Sequence, residues 1–164
     1  VDAELRRARA SLNEHQSCAY CRLIEQEREA GVRVVHDGDG YFAFCPFASL
    51  QPCEVWLLPV NHEPFFERAL SGDSVDRLAE KLRALVAGIE SLVPSASFNM
   101  LLRTAPWHGE SDAGFHWRIE LQPRMNAIAG LESATGIYIN PVAPERAAAE
   151  LRRIELSRHT ACVP

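Results

Sequence analysis

No stretch of this chain approaches the ~20 consecutive apolar residues that a helix needs to cross a bilayer. Its first residues do not form the charged-then-apolar pattern of a secretion signal. No role in a membrane is therefore expected. Basic residues never gather into a block: the net charge of −5 is spread in both signs along 164 residues, which argues against nucleic acid as the partner. There is no internal repeat and no low-complexity segment. The cysteines are odd in number, five at positions 18, 21, 45, 53 and 162, and do not make the even framework of a small secreted disulfide protein. Reduced thiols in a cytoplasmic setting are expected instead.

What is present suffices for one packed domain. A chain of 164 residues with 47% hydrophobic and 24% charged residues has the balance of an ordinary globular protein and the length to bury a core. It begins at Val1 rather than Met, so a processed chain or a fragment of something longer is expected.

The charged, Ala/Leu-rich residues 2–13 predict a lead-in helix. Ser17 to Cys21 reads as a tight turn, Leu23 to Ala30 as a helix, and Gly31 as its left-handed cap. Val32–His36 and Tyr41–Cys45 flank Asp37-Gly38-Asp39-Gly40, a hairpin pattern. Glu54–Pro59 reads as a third strand, with His62 in the loop that leaves it. Val75, Leu78, Leu82, Leu85, Val86, Ile89 and Leu92 recur at helical spacing within Asp73–Val93, with Ser71 or Asp73 as cap and Pro94 as stop. Ser97–Thr104 and Phe115–Leu121 read as strands around a polar loop that carries Trp107 and His108. Ile128–Asn140 is expected to add a strand or two, and Pro144 to open a last helix. The fold class is α+β: an antiparallel sheet of about five strands with one long packed helix.

Chemistry concentrates at Phe115–Arg124. With period two, Phe115, Trp117, Ile119 and Leu121 face one way, and His116, Arg118 and Glu120 face the other. An imidazole, a guanidinium and a carboxylate in one row make a candidate site. Arg118 there is either an anion contact, for which its fork is well shaped, or the partner of Glu120 or a neighbouring acid in a salt bridge that closes the site. Cys18-x-x-Cys21 is a two-point chelate suited to zinc. No second Cys-x-x-Cys follows, so further ligands must be distant histidines, and His62 and His116 are the candidates. The plainer reading is two buried thiols and two histidines satisfied by backbone.

Several motifs occur in order: Cys-Ala-Tyr-Cys21, Leu-Leu-Pro-Val-Asn-His62, Phe-Asn-Met-Leu-Leu-Arg103-Thr-Ala-Pro and Phe-His116-Trp-Arg118-Ile-Glu-Leu-Gln-Pro-Arg. Gly130-Leu-Glu132, Thr-Gly136 and Ile-Asn140-Pro-Val-Ala-Pro-Glu145 follow. This run resembles the C-terminal half of galactose-1-phosphate uridylyltransferase, a family of the histidine-triad superfamily, over roughly residues 15–155. The resemblance implies a histidine-triad-like domain at 15–158, led by residues 1–14 and followed by a tail at 159–164. It implies a metal set of Cys18, Cys21, His62 and His116 for zinc, with iron as the alternative. It also implies substrate contacts at Arg118 and Glu132, where Leu131 stands in the family's aromatic position. The implied parent is a nucleotidyltransferase of galactose metabolism working by ping-pong transfer from UDP-glucose. Its partners would be nucleotide sugars or sugar phosphates, the N-terminal half that carries a nucleophilic His-Pro-His, and a second subunit.

This chain has no His-Pro-His, and the resemblance puts Arg118 where the superfamily's second histidine attacks phosphorus. A guanidinium keeps its protons and has no lone pair to offer. No catalytic residue is therefore expected on this chain. A zinc-stabilised domain that binds a nucleotide or a protein without turnover is the second reading, and a diadenosine-polyphosphate phosphorylase relative the third.

Overall fold

The structure is a computed structural model that describes residues 2–106, 114–125 and 129–160. The expectations for Trp107, His108 and Cys162, and for a strand beginning at Ile128, fall outside these residues. Among the described residues no helix is long and apolar enough to cross a membrane.

The elements run α1 (Asp2–His15), α2 (Ala19–Ala30), β1 (Val34–Gly38), β2 (Tyr41–Phe44), β3 (Val55–Pro59), α3 (Phe66–Ala69), α4 (Asp73–Leu92), β4 (Phe98–Arg103), β5 (Arg118–Pro123), α5 (Gly130–Thr135) and α6 (Pro144–Thr160). The strands form one antiparallel sheet in the order β1-β2-β3-β5-β4. This is the expected α+β architecture of five strands, with one addition. Two long helices pack on the sheet rather than one, because α6 lies against α4 and brings Ala147, Ala148 and Leu151 onto the same core as Leu78, Leu85 and Ile89. α3 is a further short helix that its four residues gave no pattern to reveal.

Alternation along the strands sorts the residues into two layers. Tyr41, Ala43, Val55, Leu57, Ile119 and Leu121 point into the core under α4 and α6. Phe42, Phe44 and Leu58 point the other way, where Ile24 of α2 covers them. Burial on both faces explains why β2 reads as a continuous apolar run rather than an alternating one.

Two local expectations are corrected. The Ser17–Cys21 turn is in fact the start of α2: Cys18 is its N-cap in an extended conformation and Cys21 lies in its first turn. The strands expected over Ile128–Asn140 are absent among the described residues, and Gly130–Thr135 is a short helix. Its β-branched neighbours, Ile137 and Ile139, favour a strand by propensity, but they are exposed and lie in none of the described strands. Gly31 does cap α2 at φ 67, as its position suggested.

Candidate metal centre and the polar face beside it

Three separate segments converge at one end of the sheet. Cys18 and Cys21, three apart at the start of α2, project from the same side of the helix. The N-terminal end of a helix favours the thiolate form that binds metals. His62 comes from the loop after β3, and His116 from the extended chain that enters β5. Backbone bonds stitch those two segments together: Trp117 N donates to Glu63 O at 2.9 Å, and Ala105 N to Pro64 O at 2.9 Å.

The four potential ligand atoms all lie within 4.8 Å of one another. His62 Nδ1 is 3.5 Å from Cys21 Sγ, and His116 Nδ1 is 3.6 Å from Cys21 Sγ and 4.0 Å from Cys18 Sγ. A tetrahedral zinc with its usual bond lengths puts sulfur and nitrogen ligands about 3.6 Å apart. The cluster therefore already has nearly the edge lengths of a Cys2His2 tetrahedron.

The tautomer is also set. His116 Nε2 lies 2.9 Å from Pro59 O, and a carbonyl only accepts, so the proton belongs on Nε2. That leaves the Nδ1 lone pair aimed at the two sulfurs. A metal-binding histidine held by a carbonyl on its far nitrogen is the usual second layer of such sites. Without a metal the thiol pair is unequal: the hydrogen bond between them pulls Cys18 down and pushes Cys21 up. A bound cation displaces the remaining proton. This Cys2His2 cluster can thus hold a metal ion.

The polar row continues along β5, but it is closed rather than open. Arg118 and Glu120 are both buried. Arg118 Nε and Nη2 donate to Glu120 Oε1 at 2.9 and 2.8 Å, and Nη1 donates to Glu4 Oε1 of α1 at 2.6 Å. The guanidinium carbon sits 4.6 Å from the Tyr20 ring centre and 5.0 Å from that of Trp56. The salt bridge to Glu120 that the sequence offered as one alternative is present, with a second acid added. Arg103 lies directly opposite Arg118 on β4, and its Nε is 3.4 Å from Glu120. Gln122 links Glu120 to Glu54, which in turn accepts from Trp56 Nε1 at 2.8 Å.

Burial raises the Glu4 carboxyl while the Arg118 charge and hydrogen bond lower it, and the balance falls below the usual carboxylate range. Glu132 is elsewhere engaged: its carboxylate accepts the Ala129 N–H at 3.1 Å and caps its own helix. The structure therefore brings Cys18, Cys21, His62, His116 and Arg118 to one region. Among the described residues no hydrogen bond joins Glu132 to them.

Sequence reasoning missed Glu4 and Gly114. Nothing in the sequence links Glu4 to Arg118 across 114 positions. Gly114 lets α1 approach, since a Cβ there would lie 2.6 Å from the Ala8 carbonyl oxygen. Gly114→Ala is expected to lift α1 and cost about 1–3 kcal/mol, read as a lower thermal midpoint and faster proteolysis within residues 2–15. Unchanged stability and protection would show that α1 does not depend on this approach.

No protein-family model matches the chain. ADP-glucose phosphorylase of Arabidopsis thaliana is 27% identical over 159 residues, 96% of this chain and 44% of that protein. Galactose-1-phosphate uridylyltransferase of Thermotoga maritima is 27% identical over 164 residues, 95% of this chain and 51% of that protein. Among solved structures, a uridylyltransferase superposes with a TM-score of 0.84 at 24% identity, covering 99% of this chain and 51% of the other. A zinc-bound histidine triad family protein from Mycobacterium smegmatis superposes at 0.59 with 14% identity, covering 89% and 98%. The architecture is thus histidine-triad-like. The resemblance to the galactose-1-phosphate uridylyltransferase family holds over nearly the whole chain, which spans about half the length of the curated relatives it matches.

Proposed function

We propose that this chain is the C-terminal half of a cytoplasmic nucleotidyltransferase that acts on nucleotide sugars or sugar phosphates, in the manner of the uridylyltransferases and ADP-glucose phosphorylase it resembles. In this reading the half supplies a metal-stabilised scaffold and substrate contacts, and the attacking histidine lies on an N-terminal half. Cys18, Cys21, His62 and His116 hold zinc, or iron in its place. Zinc bound there supplies a rigid cross-link between α2, the β3 exit and β5. Arg118 and Glu132 are the proposed substrate contacts.

The observation that carries the reading is the likeness to an ADP-glucose phosphorylase and a galactose-1-phosphate uridylyltransferase over 95–96% of the chain, and the state of Arg118 supports a nucleophile that lies elsewhere. By the resemblance Arg118 takes the place of the superfamily's nucleophile; it is buried, protonated and bound to two carboxylates. Such a group organises charge and cannot form a covalent nucleotidyl adduct. Intact-mass measurement after incubation with ADP-glucose or UDP-glucose is expected to show no adduct on this chain. A stable nucleotidyl adduct on the unmodified chain would contradict the reading.

The partner half, or a second copy, has a natural docking place at β4. That strand ends the sheet, and its Met100 and Leu102 are exposed beyond the α4 and α6 layer. An open edge strand bearing apolar side chains offers both unpaired backbone and contact surface. Met100→Lys with Leu102→Lys is expected to abolish association with the N-terminal half, or self-association of this half, in sedimentation experiments while leaving the fold intact. Undiminished association would place the interface elsewhere.

The burial of Arg118 equally supports the second reading, a zinc-stabilised domain that binds a nucleotide or a protein without turnover. Metal binding is common to both. An upstream half with His-Pro-His in the same reading frame favours the first.

A further inference from the structure

Cys18 and Cys21 are placed to act as a dithiol as well as a chelate. Cys18 is the N-cap of α2 and Cys21 its third residue. Helix geometry sets two such Cα atoms about 5 Å apart, inside the roughly 4.4–6.8 Å that a disulfide spans. A side chain at the N-cap reaches toward the third residue of its helix, and the two sulfurs accordingly lie within 4.8 Å of each other. Access to them is one-sided. Cys18 and His116 are buried, whereas Cys21 is half-buried and His62 exposed. A small solute therefore reaches the cluster at Cys21, with Cys18 directly behind it. Cys45 and Cys53 differ, because both are shut into the core under α4 and α6.

We propose that Cys18 and Cys21 are a peroxide-responsive dithiol–disulfide pair, and that closing the disulfide empties the metal centre. The Cys21 sulfur attacks one peroxide oxygen, the O–O bond breaks, and hydroxide leaves as water after taking a proton. Cys21 is then a sulfenic acid. The Cys18 sulfur attacks the Cys21 sulfur, the S–O bond breaks, and a second hydroxide leaves as water with a second proton. Two electrons pass from the two sulfurs to one peroxide. Sulfur binds a metal as thiolate, which a disulfide no longer offers. The oxidised pair leaves His62 and His116 alone, fewer protein ligands than a zinc site uses. The cross-link between α2, the β3 exit and β5 is lost with the metal, while the core under α4 and α6 keeps the sheet packed. A dithiol reductant and zinc restore the centre.

Only the release of metal rests on the metal-site reading; the pairing of the two sulfurs stands apart from it. The test treats the full chain, zinc-loaded and separately metal-free, with hydrogen peroxide. Tryptic peptide masses and a colorimetric zinc indicator are the readouts. Cys18 and Cys21 share the peptide 10–22, Cys45 and Cys53 share 34–68, and neither peptide contains methionine. Peptide 10–22 is expected to become lighter by two hydrogen atoms in both samples, with 34–68 unchanged. About one zinc should leave per disulfide formed, and dithiothreitol with zinc should reverse both changes. Cys162→Ser is expected to behave as the unmodified chain. A metal-free chain whose peptide 10–22 stays reduced, passes directly to sulfinic acid or links to Cys162 would overturn the proposal. So would a zinc-loaded chain that keeps its zinc under peroxide, whether its thiols stay reduced or not. If the chain takes up no zinc at all, the metal-site reading fails and the release with it, and the metal-free sample still decides the pairing.

Discussion

Arg118→Met is expected to destabilise the domain by about 3–5 kcal/mol, because removing one partner of a buried ion pair strands the other. Glu120 is 3% exposed and takes two hydrogen bonds from Arg118. Without them its remaining polar neighbours are Arg103 at 3.4 Å and Gln122 at 3.3 Å. Glu4 would lose its anchor as well. The double variant Arg118→Met/Glu120→Leu removes both charges and is expected to recover most of the loss, since an apolar replacement of a whole buried pair is often neutral. Urea denaturation of the three proteins measures this. A single-variant cost under about 1 kcal/mol, the range of an exposed pair, would show that the row is solvated rather than closed.

The same row predicts a pH dependence with a definite sign. The Glu4 carboxyl titrates below its ordinary range in the folded chain. Its stabilising effect is therefore complete above the unfolded carboxyl's pKa and is lost as the pH falls through the depressed folded value. Acid should release α1, and the Glu4→Gln variant should lack that transition.

Removing the metal is expected to have the larger consequence. The Cys2His2 cluster ties α2 to the loop after β3 and to the entry of β5, three segments that no regular ladder joins at that point. Structural zinc sites in small peptides contribute roughly 10–16 kcal/mol of apparent binding free energy, which is also folding free energy there. This chain has a separate apolar core under α4 and α6, so a smaller share falls to the metal. A chelator is expected to lower the thermal midpoint substantially while leaving the sheet's circular dichroism in place at room temperature. His116→Ala should reproduce the chelated state, because it removes a ligand whose orientation the Pro59 carbonyl fixes. An unchanged midpoint on chelation of a metal-loaded chain would mean that the cluster holds nothing structural.

Much of this fold is legible in the sequence because each element there obeys one local rule. Helical spacing from Val75 to Leu92 produced α4 within a residue of its end, and the turn residues around Asp39-Gly40 produced the β1–β2 hairpin. Period two along Phe115–Leu121 sorted Ile119 and Leu121 from Arg118 and Glu120 correctly, although the paired strand itself begins at Arg118. Failures came where tertiary contact outweighed local preference. Ile137, Tyr138 and Ile139 are strand formers by propensity, but none of the described strands pairs with them, so that stretch stays irregular and exposed. Alternation shows the polar row as a face because it says which way a residue points, not what covers it. α1 covers it through Glu4 and the notch at Gly114, and neither contact leaves a trace in local pattern.

The most direct test of the account is the metal content of the purified chain, measured by elemental mass spectrometry with Cys18→Ser and His116→Ala alongside. The account predicts about one zinc per chain, the number a Cys2His2 tetrahedron holds, lost in both variants. A metal-free chain that stays metal-free after incubation with zinc, and folds as well as its variants, would contradict it.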